Sequence, residues 1–570
     1  MDALAESIRE MPSRYVGDQE EGSGYRQFLY LQPLSDIHLR SHYMDEIEPN
    51  GDINHVYIFS AVAIFILIIA TINFMNLATA RSAQRAREVG LRKVVGAQKG
   101  QLVLQFLGES VVLAFLSLGL SLVLLYLSLP MFNGLAAKSF SMMDLANPVW
   151  ILGIVAFAFG TGVFSGSYPA FVISAFQPIQ VLKGQVIQGS GAWLRKGLVV
   201  FQFVISIALI IGSFTVFDQL SFMKNRDLGF EKEQLLVIKA NNHEGMRAGY
   251  QTLKQQLGLL PDIQQTSMAS TLPGKGTFRN EYVISRTTQA GDDGQTMLCP
   301  AVDHDIVTSL GLEIIAGRGF SKSYSTDAEG AYLINETALH ALGWNNPEDA
   351  IGQELTRQFN EDRTIVGVIK DFHFRSLQHA MEPMVLRIDP SEFNYAILRI
   401  DTRDIVKTVA SIETVWNTFS PDRPLEAFFL NDDYNKQYRS EERVGSLLTV
   451  FTGLAIFVAC LGLFGLTSFT TQQRLKEIGV RKVLGASVAS LVFMLARNVT
   501  GPVLLAMAVA MPLAYLGMRR WLEAFAYRTE PSIETFLLAG VLSLAIAWLT
   551  VGYQSVRSAL ANPVSALRDN

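Results

Sequence analysis

Long apolar runs broken by short polar stretches occupy both ends of the chain, whereas its middle shows only short apolar runs of a few residues. A bilayer core about 30 Å thick needs about 20 mostly apolar residues per helix. Seven runs are long enough: Val56 to Leu77, Leu102 to Leu129, Val149 to Phe171, Leu198 to Phe217, Leu447 to Phe469, Leu491 to Met518 and Thr535 to Val551. Each predicts a transmembrane helix. Residues 221–444, between the fourth and fifth runs, are too long for a loop and mix β-like runs (Leu235 to Lys239, Thr364 to Ile369, Tyr395 to Ile400) with helical patterns (Met246 to Leu259, Ile405 to Phe419). That mixture predicts an α+β domain.

Self-similarity organises the rest. Residues 88–97 read EVGLRKVVGA and residues 477–486 read EIGVRKVLGA; every difference exchanges one aliphatic residue for another, and both copies lie between two apolar runs. Tyr168, Phe176, Pro178 and Leu182 after the third run are echoed by Tyr553, Leu560, Pro563 and Leu567 after the seventh. The chain therefore reads as two copies of one unit, a span, an external domain and three further spans. On this reading the second copy is expected to be complete from about Trp193. The first has three spans, with residues 25–54 standing where Phe428 to Arg443 stand in the second copy, so the expectation is that a first span and most of a first domain are absent, the alternative being a natural seven-span protein with an unusual exported tail.

Charge sets the expected orientation. Arg81, Arg85, Arg87, Arg92, Lys93 and Lys99 follow the first run, Lys183, Arg195 and Lys196 the third, Arg474, Lys476, Arg481 and Lys482 the fifth, and Arg557 and Arg568 the last. The alternate loops hold only Lys138, Arg519, Arg520 and Arg528. Basic short loops stay in the cytoplasm, which places the large domain and residues 1–54 outside and the C-terminus inside. The start, MDALAESIREMPSRYVGDQE, has no apolar core after a basic stretch and is not a signal peptide.

Composition agrees. The 570 residues are 49% hydrophobic and 17% charged, with mean hydropathy +0.25, against roughly a quarter charged in soluble domains. A net charge of -5 supplies no basic field for nucleic acid. Cys299 and Cys460 lie far apart, and no paired-cysteine, His-Glu-x-x-His or Gly-x-Ser-x-Gly motif occurs. No catalytic residue, metal site or cofactor is indicated. His373, near Asp371 and Arg375, invites a catalytic reading, but a single histidine at a strand end is more simply structural. The string from Pro273 to Thr277 lacks the Walker A spacing. Glycines 311, 317 and 319 suit turns. Few charges lie within the spans, which disfavours an ion pathway. Gly160, Gly162, Gly166, Gly462 and Gly465 suit close helix packing, and Pro502 and Pro512 can kink the sixth span.

The repeated element carries most of the information. Glu88 and Arg92, like Glu477 and Arg481, stand at i and i+4 in the favourable order, worth only about 0.2–0.5 kcal/mol per pair. Leu91, Val94 and Val95, matched by Val480, Val483 and Leu484, fall on one face of a short amphipathic helix, and Gly96 and Gly485 suit a left-handed C-cap. Repetition of such a weakly stabilising pattern points to a protein-docking surface.

This basic element, with the span pattern and the long insertion, resembles the permease subunits of type VII ABC transporters, the group of the macrolide exporter, lipoprotein-releasing and cell-division permeases. The duplication is similar to the fused permeases common in Bacteroidetes. Segments of residues 221–444 that carry the likeness to the family's periplasmic core domain are VDHDIVTSLGLEIIAGRGF from Val302, INETALHALGW from Ile334 and TIVGVIKDFHFRSL from Thr364. The resemblance implies a polytopic α-helical membrane protein with an extracytoplasmic α+β domain, in the bacterial inner membrane. Residues 1–54 would be the remnant of a first periplasmic domain, 55–192 a first permease transmembrane domain, 193–220 a transmembrane helix, 221–444 a periplasmic core-like domain and 445–570 a second permease transmembrane domain. It also implies coupling to a cytoplasmic ABC ATPase subunit through Glu88, Gly90, Arg92, Lys93 and Gly96 and through Glu477, Gly479, Arg481, Lys482 and Gly485. The chain would not be an enzyme; ATP-driven closure of the ATPase would move the spans and the external domain, with efflux of a peptide, drug or lipid-linked substrate. Further partners would be membrane lipids and a periplasmic adaptor or outer-membrane protein. Two other readings stay open: a membrane-anchored regulator that activates a cell-wall hydrolase or sensor kinase, and a non-functional truncated permease.

Overall fold

The computed structural model describes residues 2–12, 14–15, 28–41, 51–174, 192–240, 244–275, 281–286, 294–357, 361–473, 477, 480–482 and 484–560. They fall into two compact units, one of Met1–Ile53, Ser221–Ser440 and Ala524–Arg528, the other of Asn54–Leu220, Glu441–Glu523 and Thr529–Asn570. Among the described residues, seven helices are long and apolar enough to cross a membrane, one for each of the seven runs.

We label these and two domain helices in chain order: α1 (Ile53–Val94), α2 (Lys99–Ala136), α3 (Pro148–Ser174), α4 (Ala192–Asn225), α5 (Glu244–Gly258), α6 (Ile405–Phe419), α7 (Arg439–Gln473), α8 (Val488–Leu522) and α9 (Ile533–Leu560). Within the membrane unit, α2 packs on α3 where the sequence supplies small residues. A Cβ on Gly162 would lie 2.8 Å from the Val111 backbone, and one on Gly166 would overlap Ser110. Among the described residues, no atom of another helix lies within 4 Å of where a Cβ on Gly160 would stand. Helices α1 and α7 cross where Gly462 faces Asn73 and Gly465 faces Leu77. The Asn73 amide donates to the carbonyl of Val458 at 2.5 Å, and the Gln202 amide of α4 donates to that of Ala459 at 2.9 Å. Two side-chain amides thus tie adjacent carbonyls of α7 to different helices in a region with no water to take their place. Ile69, Ile205, Ala455 and Ala459 form the apolar cluster around them.

The other unit is built on one twelve-stranded sheet. Its strands are β1 (Leu235–Lys239), β2 (Ile263–Ala269), β3 (Glu281–Ser285), β4 (Gln295–Leu298), β5 (Ala301–Val302), β6 (Ile314–Gly317), β7 (Ala331–Asn335), β8 (Glu354–Arg357), β9 (Glu361–Ile369), β10 (Val385–Ile388), β11 (Tyr395–Ile400) and β12 (Ala427–Phe429). The order is β12-β1-β11-β2-β5-β10-β7-β9-β8-β3-β4, with β6 also on β9. Pairing is antiparallel except for β7 with β9 and β5 with β10. One core lies under α5 and α6, where Leu253, Ile412 and Trp416 meet Met268, Phe393 and Leu398. A second gathers Tyr332, Trp344, Leu355 and Ile365 around β7 and β9. The α+β expectation holds. Gly311 and Gly317 take positive φ of 66° and 69°, as turn glycines do, whereas Gly319 does not.

Candidate functional site

In the first copy the repeated element is not a separate short helix. It is the last stretch of α1, which runs unbroken from Ile53 to Val94, beyond its apolar part ending at Ala78. Backbone hydrogen bonding past Ala78 continues the spanning helix through the polar residues, so element and span form one rod.

How the rod ends is fixed by glycine. The Ala97 N–H donates to the Arg92 carbonyl at 2.9 Å and the Gly96 N–H to the Lys93 carbonyl at 3.1 Å, with Gly96 at φ 106°. This is the 6→1 and 5→2 pairing of a Schellman cap, which needs a left-handed residue at its centre. The second copy repeats it: Ala486 to Arg481 at 2.9 Å, Gly485 to Lys482 at 3.1 Å and φ 91° at Gly485. The next helix then starts at a side-chain cap, Gln98 with Gln101 in the first copy and Ser487 accepting from the Ser490 N–H in the second.

The side chains divide into two sets. Val89, with Ala97 against it, packs on Leu102, Phe106 and Ala170, Gly90 is buried, and the Lys93 Nζ donates to the Ser174 carbonyl at the end of α3 at 2.6 Å. Partial burial and neighbouring Lys99 lower the Lys93 pKa from the ordinary lysine value. Leu91, Val94 and Val95 are exposed, Val95 by 82%. They share a face, as their spacing predicts, but the anchor is Val89, which sequence reasoning missed. Glu88 pairs with Arg92 at 2.7 Å; Arg92 donates to Gln105 at 2.7 Å, and Gln105 to Glu109 at 3.3 Å. In the second copy Glu477 pairs with Arg481 at 2.7 Å, Val480 and Leu484 are exposed, and Arg481 reaches Met494 instead of an amide. Gly479 and Val483, and the echo residues Phe176, Pro178, Leu182, Pro563 and Leu567, lie outside the described residues. Each copy thus presents exposed aliphatic side chains beside an arginine held in place by its own glutamate.

No acid–base pair forms around His373. The Asp371 carboxylate accepts from the Thr337 N–H (3.0 Å) and hydroxyl (2.7 Å), capping the short helix Glu336–Ala341. His373 is buried edge-on against Tyr527 with ring centroids 4.7 Å apart, and burial, aided by Arg226, lowers its pKa. Cys299 is wholly buried, which pushes its thiol up to about 11 and keeps it protonated at neutral pH. Lys275, from the near-Walker string, pairs with Asp433 at 3.1 Å.

A second feature had no signal in the sequence. The turn between α8 and α9, Ala524–Arg528, belongs to the sheet unit. The N–H groups of Ala526 and Tyr527 donate to the carbonyls of Gln378 (3.1 Å) and Leu377 (3.2 Å). Tyr527 is sandwiched by His373 and by Arg226, whose guanidinium lies 5.1 Å from the ring centroid.

Comparison with known proteins finds the family described as FtsX-like permease C-terminal at residues 60–178 and again at 449–563. The macrolide export ATP-binding/permease protein MacB of Bdellovibrio bacteriovorus is 29% identical over 128 residues, 22% of this chain and 19% of that protein. The uncharacterized ABC transporter permease YknZ of Bacillus subtilis is 30% identical over 126 residues, 22% of this chain and 31% of that one. The chain therefore spans less than a third of either relative. The periplasmic region of MacB from Actinobacillus actinomycetemcomitans aligns with a TM-score of 0.27 at 13% identity, over 38% of this chain and 96% of that one.

Proposed function

Because the chain is an FtsX-like permease that carries its membrane domain twice, we propose that it is the membrane subunit of an ABC-type exporter or force-transmitting complex, with ATP hydrolysed by separate cytoplasmic ATPase subunits. The two repeated helix ends are the docking points. Glu88, Gly90, Arg92, Lys93 and Gly96 act in the first copy, and Glu477, Gly479, Arg481, Lys482 and Gly485 in the second. The observation that carries this reading is the pairing of the same Schellman cap with exposed aliphatic residues at both sites. A stability role would bury those residues; a docking role exposes them.

Continuity of α1 makes the mechanism physical. At 1.5 Å per residue its 42 residues form a rod about 60 Å long, so displacement of its capped end moves the span without a hinge between. The turn Ala524–Arg528 offers the route onward, since whatever shifts α8 and α9 pulls on Leu377 and Gln378 through two backbone hydrogen bonds. The sheet unit then lies on the extracytoplasmic side and the repeated ends in the cytoplasm. The substrate class is a peptide, drug or lipid-linked molecule.

Reversing both arginines, Arg92→Glu with Arg481→Glu, places like charges beside Glu88 and Glu477 at the docking face. The ATPase subunit should no longer co-purify, while membrane insertion is unchanged. Undiminished co-purification of the reversed chain overturns the assignment.

A further inference from the structure

We propose that the lysine of each repeated element is a positioning residue that fastens the helix ending there to the last span of the same half: Lys93 ties α1 to α3, and Lys482 ties α7 to α9. The tie is a hydrogen bond from the lysine ammonium to a carbonyl that a following proline leaves without its helical donor.

In the first copy the Lys93 Nζ lies 2.6 Å from the carbonyl oxygen of Ser174, the final residue of α3. In an α-helix that carbonyl accepts from the N–H four residues on. The residue four on is Pro178, which has no N–H to give. Ser174 is fully buried, so bulk water does not reach its carbonyl and the donor has to come from the protein. An ammonium suits the place. It carries three donors on a flexible stem, and a cation is favoured at the negative end of a helix dipole.

Sequence and backbone repeat the arrangement. In the register that sets Tyr168 on Tyr553, Ser174 falls on Ala559 and Pro178 on Pro563, so the Ala559 carbonyl of α9 lacks a helical donor for the same reason. Lys93 and Lys482 stand at the same point of the two Schellman caps, their carbonyls accepting from Gly96 and Gly485. Both lysines are half-buried, beside the exposed Arg92 and Arg481. Ala170 on α3, in the cluster with Val89, and its counterpart Ser555 on α9 are both buried. The two echoes in the sequence are therefore one device, in which the proline creates an unfilled acceptor and the lysine fills it. Within each Arg-Lys pair the arginine is turned outward and the lysine inward. A displacement applied at the capped end then reaches two spans together; this consequence rests on the ATPase-docking reading, whereas the tie does not.

The test uses the full chain in detergent with Cys299→Ser, Cys460→Ser and Ser174→Cys, which keeps the carbonyl and sets a buried thiol at the end of α3. Maleimide labelling of that thiol reads the opening of the helix end. Lys93→Met should speed labelling at least fivefold, and adding Pro178→Ala, which restores an N–H at that position, should bring the rate back to within twofold of the parent. Lys99→Met, at an exposed lysine nearby, should leave the rate unchanged. A lysine that contributed only general stability would not be rescued by the proline change. Should the Lys93→Met chain not elute as the parent does, Lys93→Gln replaces it. In the second copy, Ser555→Cys with Lys482→Met and Pro563→Ala should reproduce the pattern. Equal labelling of the parent and Lys93→Met, or no rescue by Pro178→Ala, would overturn the proposal, and a flat response at Ser555→Cys would overturn the assignment of Lys482. No ATPase subunit enters the assay, so failure of the docking reading leaves its result untouched.

Discussion

Replacing Gly462 by alanine puts a methyl group onto the Asn73 amide at the crossing of α1 and α7. The amide cannot rotate away freely, because Asn73 is buried and its Nδ2 is hydrogen-bonded to the Val458 carbonyl at 2.5 Å. Overpacking a tight site costs about 1–3 kcal/mol, and the displaced amide loses an interhelical hydrogen bond worth about 0.6 kcal/mol in a membrane protein. Gly462→Ala should therefore destabilise the membrane unit by about 2–3 kcal/mol. Asn73→Ala loses the hydrogen bond and opens a small void, a cost of about 1 kcal/mol. The two changes compensate, since removing the amide makes room for the methyl, so the double variant should unfold close to Asn73→Ala alone. That amounts to a coupling of about 2 kcal/mol in a double-mutant cycle. Unfolding in mixed micelles with increasing dodecyl sulfate, followed by tryptophan fluorescence, measures it. If the double variant loses the sum of the two single losses, the crossing is not packed as described.

Three further outcomes are expected. Gly96→Ala and Gly485→Ala force alanine into the left-handed region at a cost of about 1 kcal/mol each, read as roughly fivefold faster hydrogen exchange at the Ala97 and Ala486 amides. His304, His373 and His379 have pKa values lowered mainly by burial; the unfolded chain binds more protons below about pH 6.5, so their contribution is full above that pH and is lost as the pH falls further. The sheet unit should weaken between pH 7 and 5.5 in thermal melts, and His373→Gln should reduce the slope; a slope unchanged by this substitution would refute the attribution. For topology, Leu259 and Val95 are 84% and 82% exposed, so exposure does not separate cysteines placed there. An impermeant maleimide on intact cells should label the first and not the second, and the reverse pattern would invert the orientation.

Much of this architecture is visible in the residue order, because the features concerned are local. A run such as Val56 to Leu77 must span or aggregate, and the strands Leu235–Lys239 and Tyr395–Ile400 and the helix Ile405–Phe419 appear where their patterns predict. Gly96 and Gly485 were recognisable as caps because a left-handed residue after a helical run is nearly a glycine property. What escaped depends on partners distant in sequence. Val89 and Leu91 are both aliphatic, and only the positions of Phe106 and Ala170 decide that the first is buried. Polar residues after Ala78 look like a helix stop, yet backbone hydrogen bonding carries α1 through them. The parallel pairing of β7 with β9 joins segments that no turn connects. Residues 524–528 read as a loop, and nothing in them announces that Leu377 and Gln378 would receive their N–H groups.

The crossing of Asn73 with Gly462 bears on how the two halves are joined. In the register that aligns the repeats, these are the same position. Two identical half-chains meeting about a twofold axis would set each residue against itself, two amides competing for one space or two glycines leaving a gap. Large against small is open only to halves free to diverge, and one covalent chain guarantees that the unlike halves always meet. The joint is a lock and key made from a single ancestral surface, and neither half can be replaced by a second copy of the other.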